Sequence, residues 1–543
     1  MPQVSPFPAS APCVEAIHKT VLRSIRETIQ VEPGKKAFIN GFDYNDFITY
    51  EQLLAQAEAL ATFLEQIGFR KETACTVLPS CHQFAVFVLG VLTRGGAVSG
   101  ASALFTDHEL ERQFVDSKSS LIFTDIEHLQ KVLIACSKLK LKKIIVMGAE
   151  NRALPTGCVH WSDVLRTPIN PHLQDVEVDL DRDTALLPYS SGTTGAPKGV
   201  ILTHRNFGSM MNILKDVIER LRNAPPLNDV DWQNEHSLLF LPTYHIYGFS
   251  CVTYGLLEGS TGVLMSKFEP EAFLKAIQEF KIKNLSLVPP IIVFLAKHPM
   301  VAKYDLSSLL VMSCGAAPAG KDICDEVKRR FPNVRIIQQS YGMTESSLAS
   351  HVADPSSRLK EASVGKIAPG LVGKIVDVET GEECATGVAG EICVKGPTVM
   401  LGYLNRPEAT RETIRDGWLH TGDIGYVDAD GDLFIVDRLK ELIKVKGLQV
   451  PPAELEDLLL SHPQIADAAV IGVPDKDAGE LPRAFVVRNS EKLTEKEVQD
   501  FVKDKVSTYK QLKGGVEFIK EIPKAPSGKI LRRFLRDSLK SKL

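Results

Sequence analysis

Between residues 50 and 310 the chain alternates between amphipathic helical patterns and short runs rich in β-branched residues. The helical pattern is clearest at 49–68, TYEQLLAQAEALATFLEQIG, and the β-rich runs include KKIIVMG, GVLMS and NLSLVPP. Such alternation is typical of parallel sheets that are covered by helices. It predicts an α/β fold whose ligands bind beyond the carboxyl ends of the strands.

The pattern changes to short strands and turns between about 360 and 436. VGKIVDVETGEECATGVAGEICVKG occupies 372–396, and GYVDADGDLFIVDR occupies 425–438. Asp430 and Gly431 in the second run are typical of a hairpin turn. This region predicts a small β-rich subdomain that follows the α/β layers.

A third pattern follows DRLKELIKVKG at 437–447, which we interpret as a hinge. It predicts a helix in PPAELEDLLLSH, strands in DAAVIGV and PRAFVVR, and a further helix capped by Thr494 with Glu497 three residues later. A chain of 543 residues is too long for one core. We predict a large domain at 1–437, a smaller mobile α+β domain at 438–540 and a C-terminal tripeptide at 541–543.

Composition narrows the function classes. The 63 basic and 67 acidic residues give a net charge of −4, which provides no global field for nucleic acid or an anionic membrane. The most apolar early run, FAVFVLGVL at 84–92, is half the length of a membrane span, and no signal peptide precedes it. We expect a soluble protein that is not secreted and that acts on small molecules.

The ten cysteines form no CxxC pair, and the last 150 residues contain none. We expect reduced, mostly buried thiols and no zinc ligands. The final residues Ser541, Lys542 and Leu543 match the tripeptide that a peroxisomal import receptor reads. They predict a peroxisomal location, although the end of a lysine-rich helix is the alternative.

The run LLPYSSGTTGAPKGVILTH at 186–204 places hydroxyl groups, glycines and one lysine between two apolar segments. It is not a Walker A loop, because Pro197 precedes Lys198 and Gly199 follows it. Four hydroxyl donors and a lysine nevertheless suit a polyanion, whereas a solvated turn is the alternative. The groups that we assign to phosphate are Ser190, Ser191, Gly192, Thr193, Thr194 and Lys198.

The motifs YSSGTTGAPKGV and QQSYGMTE resemble signatures of the adenylate-forming enzymes, which include acyl-CoA synthetases, peptide-synthetase adenylation domains and beetle luciferases. LPTYHIYGF at 241–249 and LIKVKGLQVPPAELE at 442–456 are similar to segments of the 4-coumarate-CoA ligases and luciferase-like acyl-CoA synthetases. Five motifs follow one another in the family's order over nearly the whole chain. The resemblance implies a large nucleotide-binding domain and a rotating C-terminal domain.

The resemblance also implies roles in nucleotide binding. Tyr341 would stack on adenine, Thr344 would touch phosphate and Glu345 would hold Mg²⁺. Asp423 and Arg438 would bind ribose, and Lys529 in PSGKILRR would be the adenylation lysine. Further residues implied near adenine are Gly315, Ala316, Ala317, Gln339 and Ser340. Considered without the family, Asp423 and Arg438 are equally ordinary ion-pair residues, and Lys529 is an ordinary solvated lysine.

For the acyl group and coenzyme A, the resemblance implies a site lined by His245, Tyr247, Cys251, Cys314 and Ser340. Relatives commonly have glycine where this chain has Ser340, and His245 is by base rate as often a packed core histidine. The residues implied at the hinge and the thiol channel are Lys440, Lys444, Lys446, Gly447 and Gln449. A basic strand beside a linker is the alternative for this lysine run.

These features together predict an ATP-dependent, AMP-forming carboxylate-CoA ligase that uses Mg²⁺ and coenzyme A. Medium- or long-chain fatty acids are the leading substrates, mainly because of the expected location, and aromatic acids are the alternative. A luciferase-like monooxygenase shares the motifs. A non-catalytic binder is disfavoured because Lys529, Glu345 and Asp423 are all present. Transfer of the acyl group to a separate carrier protein would leave no mark on the sequence.

Overall fold

The structure is a computed structural model. It describes residues 2–150, 152–190, 197–315, 321–354, 360–439, 441–445, 448–475, 478–503, 505–506, 508–524 and 530–540. Of the positions predicted for the site, those outside these ranges are Ser191, Gly192, Thr193, Thr194, Ala316, Ala317, Lys440, Lys446, Gly447, Lys529 and the tripeptide 541–543. For Arg438 and Gln449 the backbone alone is described.

A large sheet near the N-terminus carries the predicted phosphate loop at its edge. Its parallel strands are Thr73–Val77, Ala97–Ala101, Leu121–Asp125, Lys143–Met147, Cys158–His160 and Thr184–Leu186. Antiparallel strands at the edge are Lys198–Thr203, Tyr189–Ser190 and Gly402–Tyr403. The associated helices are His82–Thr93, Asp107–Ser117, Leu129–Ala135, Trp161–Leu165 and His204–Asn223. The loop that was predicted to bind phosphate therefore joins two strands of one hairpin.

Two further sheets complete the α/β part of the chain. One contains Lys36–Asn40, Phe47–Thr49, His236–Leu239 and Thr261–Leu264, and the other contains Asn284–Leu287, Val311–Cys314 and Ile336–Gln339. The helices of this part are Ile17–Val31, Tyr50–Gln66, Ile246–Leu257, Pro270–Glu279, Pro289–Lys297 and Lys321–Arg330, with 3₁₀ segments at Pro299–Lys303 and Thr344–Ser346. All strand pairs but one in these two sheets are parallel. The predicted α/β class is confirmed.

Local sequence sets where several helices begin. Thr49, Thr106 and Thr203 each accept a hydrogen bond from the backbone N–H three residues later, and the side chain of that residue returns a bond to the threonine backbone. This reciprocal pairing satisfies two donors that a helix start leaves open. Thr494 and Glu497 form the same arrangement, with a Thr494 N to Glu497 Oε2 distance of 2.8 Å. The predicted cap at Thr494 is therefore confirmed.

A β-rich sheet follows, as predicted. Its antiparallel strands are Gln3–Val4, Val372–Val376, Gly390–Lys395, Ile414–Arg415, Trp418–Val427 and Leu433–Arg438. Nearby elements are the strand pair His351–Val352 and Lys366–Ile367 and the helix Pro407–Thr413. Gly431 has a φ of +85°, which suits the predicted hairpin turn at Asp430-Gly431. The contribution of Gln3–Val4 was not foreseen.

The C-terminal region has its own sheet and its own apolar core. The strands are Ile443–Val445, Leu448–Val450, Ile465–Asp475, Gly479–Arg488 and Val516–Phe518. The helices are Pro452–Leu460, Glu495–Lys503 and Arg532–Lys540, with a 3₁₀ segment at Thr508–Lys510. Leu455, Val470 and Val486 are among the fully buried residues of this core. The change of sheet occurs between Arg438 and Ile443, although the domain boundaries themselves stay a prediction.

Hydrogen bonds link the helix Pro452–Leu460 to earlier parts of the chain. The Lys297 ammonium donates to the Leu460 carbonyl at 3.1 Å, and the Ala453 N–H donates to the Asp437 carboxylate at 3.0 Å. Asp437 belongs to the β-rich sheet, whereas Ala453 lies in the first turn of Pro452–Leu460.

Among the described residues, no helix combines the length and the apolar character that membrane crossing requires.

Candidate active site

Glu345 is the centre of the phosphate side of the site. It lies in the 3₁₀ segment Thr344–Ser346 and is buried. Its Oε1 accepts hydrogen bonds from the Ser190 hydroxyl at 2.9 Å and from the Tyr403 hydroxyl at 2.8 Å. Thr344, the first residue of the segment, is half-buried. A predicted loop residue and the predicted metal ligand are thus in direct contact, although 155 residues separate them.

Lys198 closes the other side of the phosphate loop. It pairs with Ser190 across the hairpin, and its ammonium lies 4.7 Å from the centroid of the Tyr403 ring. A cation over an aromatic face is attracted by the ring quadrupole. Tyr403 therefore contacts Glu345 through its hydroxyl and Lys198 through its ring. Lys198 contacts Tyr403 directly, whereas Ser190 reaches it through Glu345; positions 191–194 lie outside the described residues.

The nucleoside side of the site joins Tyr341 to Asp423. The Tyr341 hydroxyl donates to Oδ2 of the buried Asp423 carboxylate at 2.7 Å. Asp423 pairs across the sheet with Arg438, so the two residues assigned to ribose occupy neighbouring strands. The backbone of Tyr341 is fixed by His351, whose carbonyl accepts the Tyr341 N–H at 3.1 Å.

Gly342 allows this segment to turn sharply. A Cβ atom at this position would lie 1.8 Å from the Leu348 carbonyl oxygen, which is far inside contact distance. Only glycine fits such a close approach. The turn places Tyr341 on the nucleoside side and Thr344 and Glu345 on the phosphate side. Gln339, at the end of Ile336–Gln339, is nearly buried and precedes this turn.

A third group forms around Tyr247, at the predicted acyl side. Its ring lies 3.2 Å from the position that a Cβ on Gly315 would take, and its hydroxyl donates to the Ser313 carbonyl at 3.4 Å. The Ser340 N–H donates to the Cys314 carbonyl at 3.2 Å, which ties Ser340 to the same strand end. The structure thus brings Tyr247, Cys314, Gly315 and Ser340 together.

These acyl-side groups are neutral at physiological pH. Burial raises the pKa of the Tyr247 hydroxyl well above its usual value of 10, and it raises the pKa of Cys251 to about 11 and that of Cys314 to about 12. Protonated thiols and a phenol make a weakly polar wall without charge. Such a wall suits the apolar body of an acid, whereas its carboxylate must bind elsewhere.

His245 caps the helix Ile246–Leu257. Its Nδ1 accepts the Tyr247 N–H at 3.2 Å, and the side chain is half-buried. Because Nδ1 acts as an acceptor, a neutral His245 carries its proton on Nε2. His245 is thus half-buried beside Tyr247, and its role at the acyl site stays a prediction.

The C-terminal residues of the predicted site occupy a hairpin. Ile443–Val445 pairs with Leu448–Val450, and Lys444 lies opposite Gln449. Lys444 is exposed, and its backbone N–H donates to the Glu480 carboxylate at 2.8 Å. Positions 446 and 447 connect the two strands and lie outside the described residues, as do Lys440 and Lys529.

Two residues and one cavity of the site were missed by sequence reasoning. Tyr403 was not assigned any role, because it follows Glu345 by 58 residues and reaches it only through the pairing of Gly402–Tyr403 with Lys198–Thr203. Glu391 was also overlooked, although its carboxylate accepts the Gly422 N–H next to Asp423. A cavity of about 310 Å³ beside Gln339 was likewise not anticipated. No motif marks these long-range contacts.

The family profile described as "AMP-binding enzyme" matches residues 25–404, and that described as "AMP-binding enzyme C-terminal domain" matches 454–529. The chain therefore belongs to the AMP-binding enzymes, and the resemblance to adenylate-forming enzymes is confirmed. Its enzyme class is that of the AMP-forming acid-CoA ligases, for which ATP and coenzyme A are co-substrates.

Individual relatives are similar over almost their full length. A 4-coumarate-CoA ligase 2 of Nicotiana tabacum is 41% identical over 522 residues, covering 94% of this chain and 93% of the relative. The ATP-bound crystal structure of MatB from Rhodopseudomonas palustris is 26% identical, with a TM-score of 0.82 and coverage of 96% and 99%. The o-succinylbenzoate CoA synthetase MenE of Bacillus subtilis, in complex with its acyl-adenylate intermediate, is 28% identical, with a TM-score of 0.77 and coverage of 95% and 98%.

Proposed function

We propose that the protein activates a carboxylic acid with an apolar body in two half-reactions. A carboxylate oxygen attacks the α-phosphorus of ATP and pyrophosphate leaves; the thiol of coenzyme A then attacks the acyl carbon and AMP leaves. The observation that carries this proposal is the contact of buried Glu345 with Ser190 and Tyr403 beside Lys198. No protein nucleophile is needed, because positioning and charge neutralisation suffice for such displacements.

Magnesium fits the phosphate side of the site. Its preferred ligands are carboxylate, hydroxyl and phosphate oxygens, and Glu345 presents a carboxylate between two hydroxyl groups. Glu345 would hold the ion, which would supply positive charge to the leaving pyrophosphate. Thr344, Lys198 and the hydroxyl groups of 190–194 would bind the phosphate oxygens themselves. The relative whose structure contains ATP supports a nucleotide in this fold.

On the nucleoside side, the ring of Tyr341 would stack on adenine and Asp423 would accept the ribose hydroxyls. Arg438 would serve ribose and phosphate from the neighbouring strand. The backbone at Gly315, Ala316, Ala317, Gln339 and Ser340 would approach adenine and the acyl group. The observed bond between Tyr341 and Asp423 supports a common site for adenine and ribose.

The C-terminal lobe would act in two orientations about Lys440. In the first, Lys529 would bridge the carboxylate and the α-phosphate, with Lys444 and Gln449 close to the adenylate. In the second, Lys446 and Gly447 would face the pantetheine arm of coenzyme A. The strand pairing supports this division, because it places Lys444 opposite Gln449, and positions 446 and 447 follow Val445 in the sequence.

The identity of the acid has two candidates. The neutral wall of Tyr247, Cys251 and Cys314 suits either an aliphatic or an aromatic body, and His245 would gate thiol entry beside it. The 4-coumarate-CoA ligase relatives favour an arylpropenoic acid, whereas the tripeptide 541–543 favours the fatty acids that peroxisomes commonly activate. Ser340 would narrow the site where relatives commonly have glycine.

Peroxisomal location is part of this proposal. It rests on Ser541, Lys542 and Leu543, which an import receptor would bind. A fluorescent protein fused to the N-terminus should colocalise with a peroxisomal marker. Deletion of Leu543 should disperse the signal, and a wild-type fusion that stays diffuse would contradict the proposal.

Pyrophosphate release tests the function directly. The purified protein, ATP and Mg²⁺ should release pyrophosphate with octanoate, palmitate or 4-coumarate, and added coenzyme A should convert the acyl-AMP to a thioester that is detectable by mass spectrometry. Removal of Mg²⁺ should abolish release. Luciferin in the same assay distinguishes a luciferase-like monooxygenase by light emission. Failure of every acid to stimulate exchange of labelled pyrophosphate into ATP would overturn the proposal.

A further inference from the structure

The strand Trp418–Val427 bulges away from its partner Gly390–Lys395 just before Asp423. Along its partner Gly390–Lys395, Cys393 pairs with His420 and Glu391 pairs with Ile424. Two residues along Gly390–Lys395, from 391 to 393, therefore span the same length as four along Trp418–Val427, from 420 to 424. The extra residues 421–423 form a bulge. Gly422, in the middle, has a φ of +71°, and bulges of this kind re-aim side chains next to active sites. The side chain that this bulge presents is the Asp423 carboxylate.

The Glu391 carboxylate fills the gap beneath this bulge. Its Oε1 accepts the Gly422 N–H at 3.1 Å, and its Oε2 accepts the His420 Nδ1–H at 2.7 Å. A bulge removes backbone donors from the sheet ladder, and a buried donor without a partner is costly. The side chains of Glu391 and His420 are 12% and 13% exposed, so water does not readily substitute for these bonds.

Neighbouring bonds complete the support of the bulge. The Thr421 hydroxyl donates to the Ile392 carbonyl at 2.8 Å and accepts the Asp423 N–H at 3.2 Å. The Gly422 carbonyl accepts the Leu439 N–H at 2.9 Å. Gly422 is thus held on its N–H side by Glu391 and on its carbonyl side by the segment that leads to Lys440.

A metal site is the competing explanation, because single ligand atoms of Glu391, Cys393 and His420 lie within 4.8 Å of one another. The distance of 2.7 Å between Oε2 and Nδ1 is that of a direct hydrogen bond, and Oε1 already binds the Gly422 N–H. The Cys393 Sγ lies 3.4 Å from the same His420 Nδ1, which is also a direct contact. The cluster is therefore a hydrogen-bonded support.

We propose that Glu391 is a positioning residue for ATP: it fixes the bulge at 421–423 and thereby holds the Asp423 carboxylate against the Tyr341 hydroxyl, where it meets the ribose. The inference rests on the proposed ribose role of Asp423. Glu391 itself touches no substrate, and its effect passes through Gly422 and His420. Loss of this support lets Asp423 move away from the ribose hydroxyls while the phosphate contacts of Glu345 stay in place.

Nucleotide discrimination provides the test. Adenylation kinetics with ATP and with 2′-deoxy-ATP should be measured for the wild type, Glu391→Ala, Glu391→Gln and Asp423→Ala. Loss of a charge-assisted hydrogen bond is equivalent to about tenfold or more in binding. Glu391→Ala should therefore raise KM for ATP by about tenfold, change KM for 2′-deoxy-ATP much less, and leave kcat within about threefold. Glu391→Gln keeps an acceptor for Gly422 but places an amide against His420. Its KM for ATP should therefore lie between those of the wild type and Glu391→Ala.

Glu382→Gln is a matched control, because Glu382 is an exposed carboxylate near the same sheet. It should behave as the wild type, and melting temperatures identify any variant that fails to fold. If Glu391→Ala and Glu391→Gln weaken both nucleotides equally, the positioning role is wrong and Glu391 serves stability alone. If the wild type and Asp423→Ala show the same preference for ATP over 2′-deoxy-ATP, Asp423 does not bind the ribose and the inference about Glu391 fails with it. Stoichiometric zinc that is lost in Glu391→Ala would also overturn it.

Discussion

The nucleotide side of the molecule and its C-terminal hairpin differ in how their functional groups are held. Glu345 and Asp423 are buried, and each accepts a hydrogen bond from a tyrosine hydroxyl that arrives from a distant part of the chain. Lys444, by contrast, has an exposed side chain, and the contacts described for it are made by its backbone. The proposed function accounts for this difference, because it requires a preformed receptor for nucleotide and side chains that approach and leave during the cycle.

This contrast has a physical basis. Carboxylates that must present a fixed geometry to a metal ion or a ribose need supporting hydrogen bonds, because a loosely held ligand loses most of its catalytic value. A lysine that serves one half-reaction must avoid such bonds, since each one would have to break before the second half-reaction. The variants below test whether the two regions are functionally separate in this way.

The largest effect is expected for Lys529→Ala. Removal of the proposed bridging cation should lower acyl-AMP formation by about a thousandfold, because charge stabilisation in the transition state is lost. Attack of coenzyme A on supplied acyl-AMP should stay within about threefold of wild type, because that step uses the other face of the lobe. Separate assays of the two half-reactions measure this, and Lys520→Ala, at an exposed lysine nearby, is the control. Equal loss in both halves would contradict the division of labour.

A smaller but still large effect is expected for Glu345→Gln. The amide keeps the shape and one oxygen but lacks the charge that would bind Mg²⁺, so adenylation should fall by about a hundredfold. Titration of Mg²⁺ in the pyrophosphate-release assay should show a higher requirement for the metal. Attack on supplied acyl-AMP should change little, and a wild-type Mg²⁺ dependence in this variant would refute the assignment.

A moderate effect is expected for Tyr403→Phe. The substitution removes the hydroxyl that donates to Glu345 at 2.8 Å but keeps the ring beside Lys198. Loss of one hydrogen bond to a charged group should reduce adenylation by about tenfold. Tyr403→Leu should reduce it further, because it also removes the aromatic face from Lys198. If both substitutions leave the rate unchanged, Tyr403 belongs to the packing and not to the site.

The smallest effect concerns stability in acid. His18 and His204 are buried with their rings 5.9 Å apart, and burial lowers the pKa of His18 to about 3 and that of His204 to about 4. Both stay neutral in the folded state, whereas unfolding lets them bind protons below about pH 6.5. The contribution of these two histidines to the free energy of unfolding is therefore fully present above about pH 6.5. It decreases as the pH falls below that value, by about 1.4 kcal/mol per pH unit for each histidine.

This acid sensitivity arises where the helix Ile17–Val31 packs against the start of the helix His204–Asn223. Melting temperatures between pH 7 and pH 5 should fall less steeply in His18→Leu than in the wild type, because the apolar side chain has no proton to bind. His108→Leu changes an exposed histidine and should leave the slope unchanged. A wild-type slope in His18→Leu would show that His18 is not buried as described.

Sequence reasoning identified the local features of the fold. The helix cap formed by Thr494 and Glu497 depends only on residues close together in the sequence, so it was predictable. The same holds for the hairpin turn at Asp430-Gly431. Lys198 was assigned to phosphate from its residue type and its neighbours, whereas Glu345 and Asp423 were assigned from motifs that resemble the family, and these roles stay predictions. In each case the signal lies within a few residues of the feature.

Long-range pairing explains what was not predicted. The strand Gln3–Val4 pairs with a strand that begins at Val372. A pattern of two residues is too short to predict such a distant partner. The strand Ile465–Asp475 exceeds the predicted run because it pairs along its length with Gly479–Arg488. Tyr403 and Glu391 enter the site by the same route, through strand neighbours that are remote in the sequence.

The bond between Asp437 and Ala453 has a kinetic consequence. Asp437 lies three residues before the proposed pivot and caps the helix Pro452–Leu460 with its buried carboxylate. A swing of the lobe that parts the two groups exposes a carboxylate and a helix N-terminus at once, a cost on the order of 1–2 kcal/mol. The strength of this cap, together with the Lys297–Leu460 bond, would then contribute to how long the lobe stays in one orientation, and with it to the rate at which the thiol reaches the adenylate.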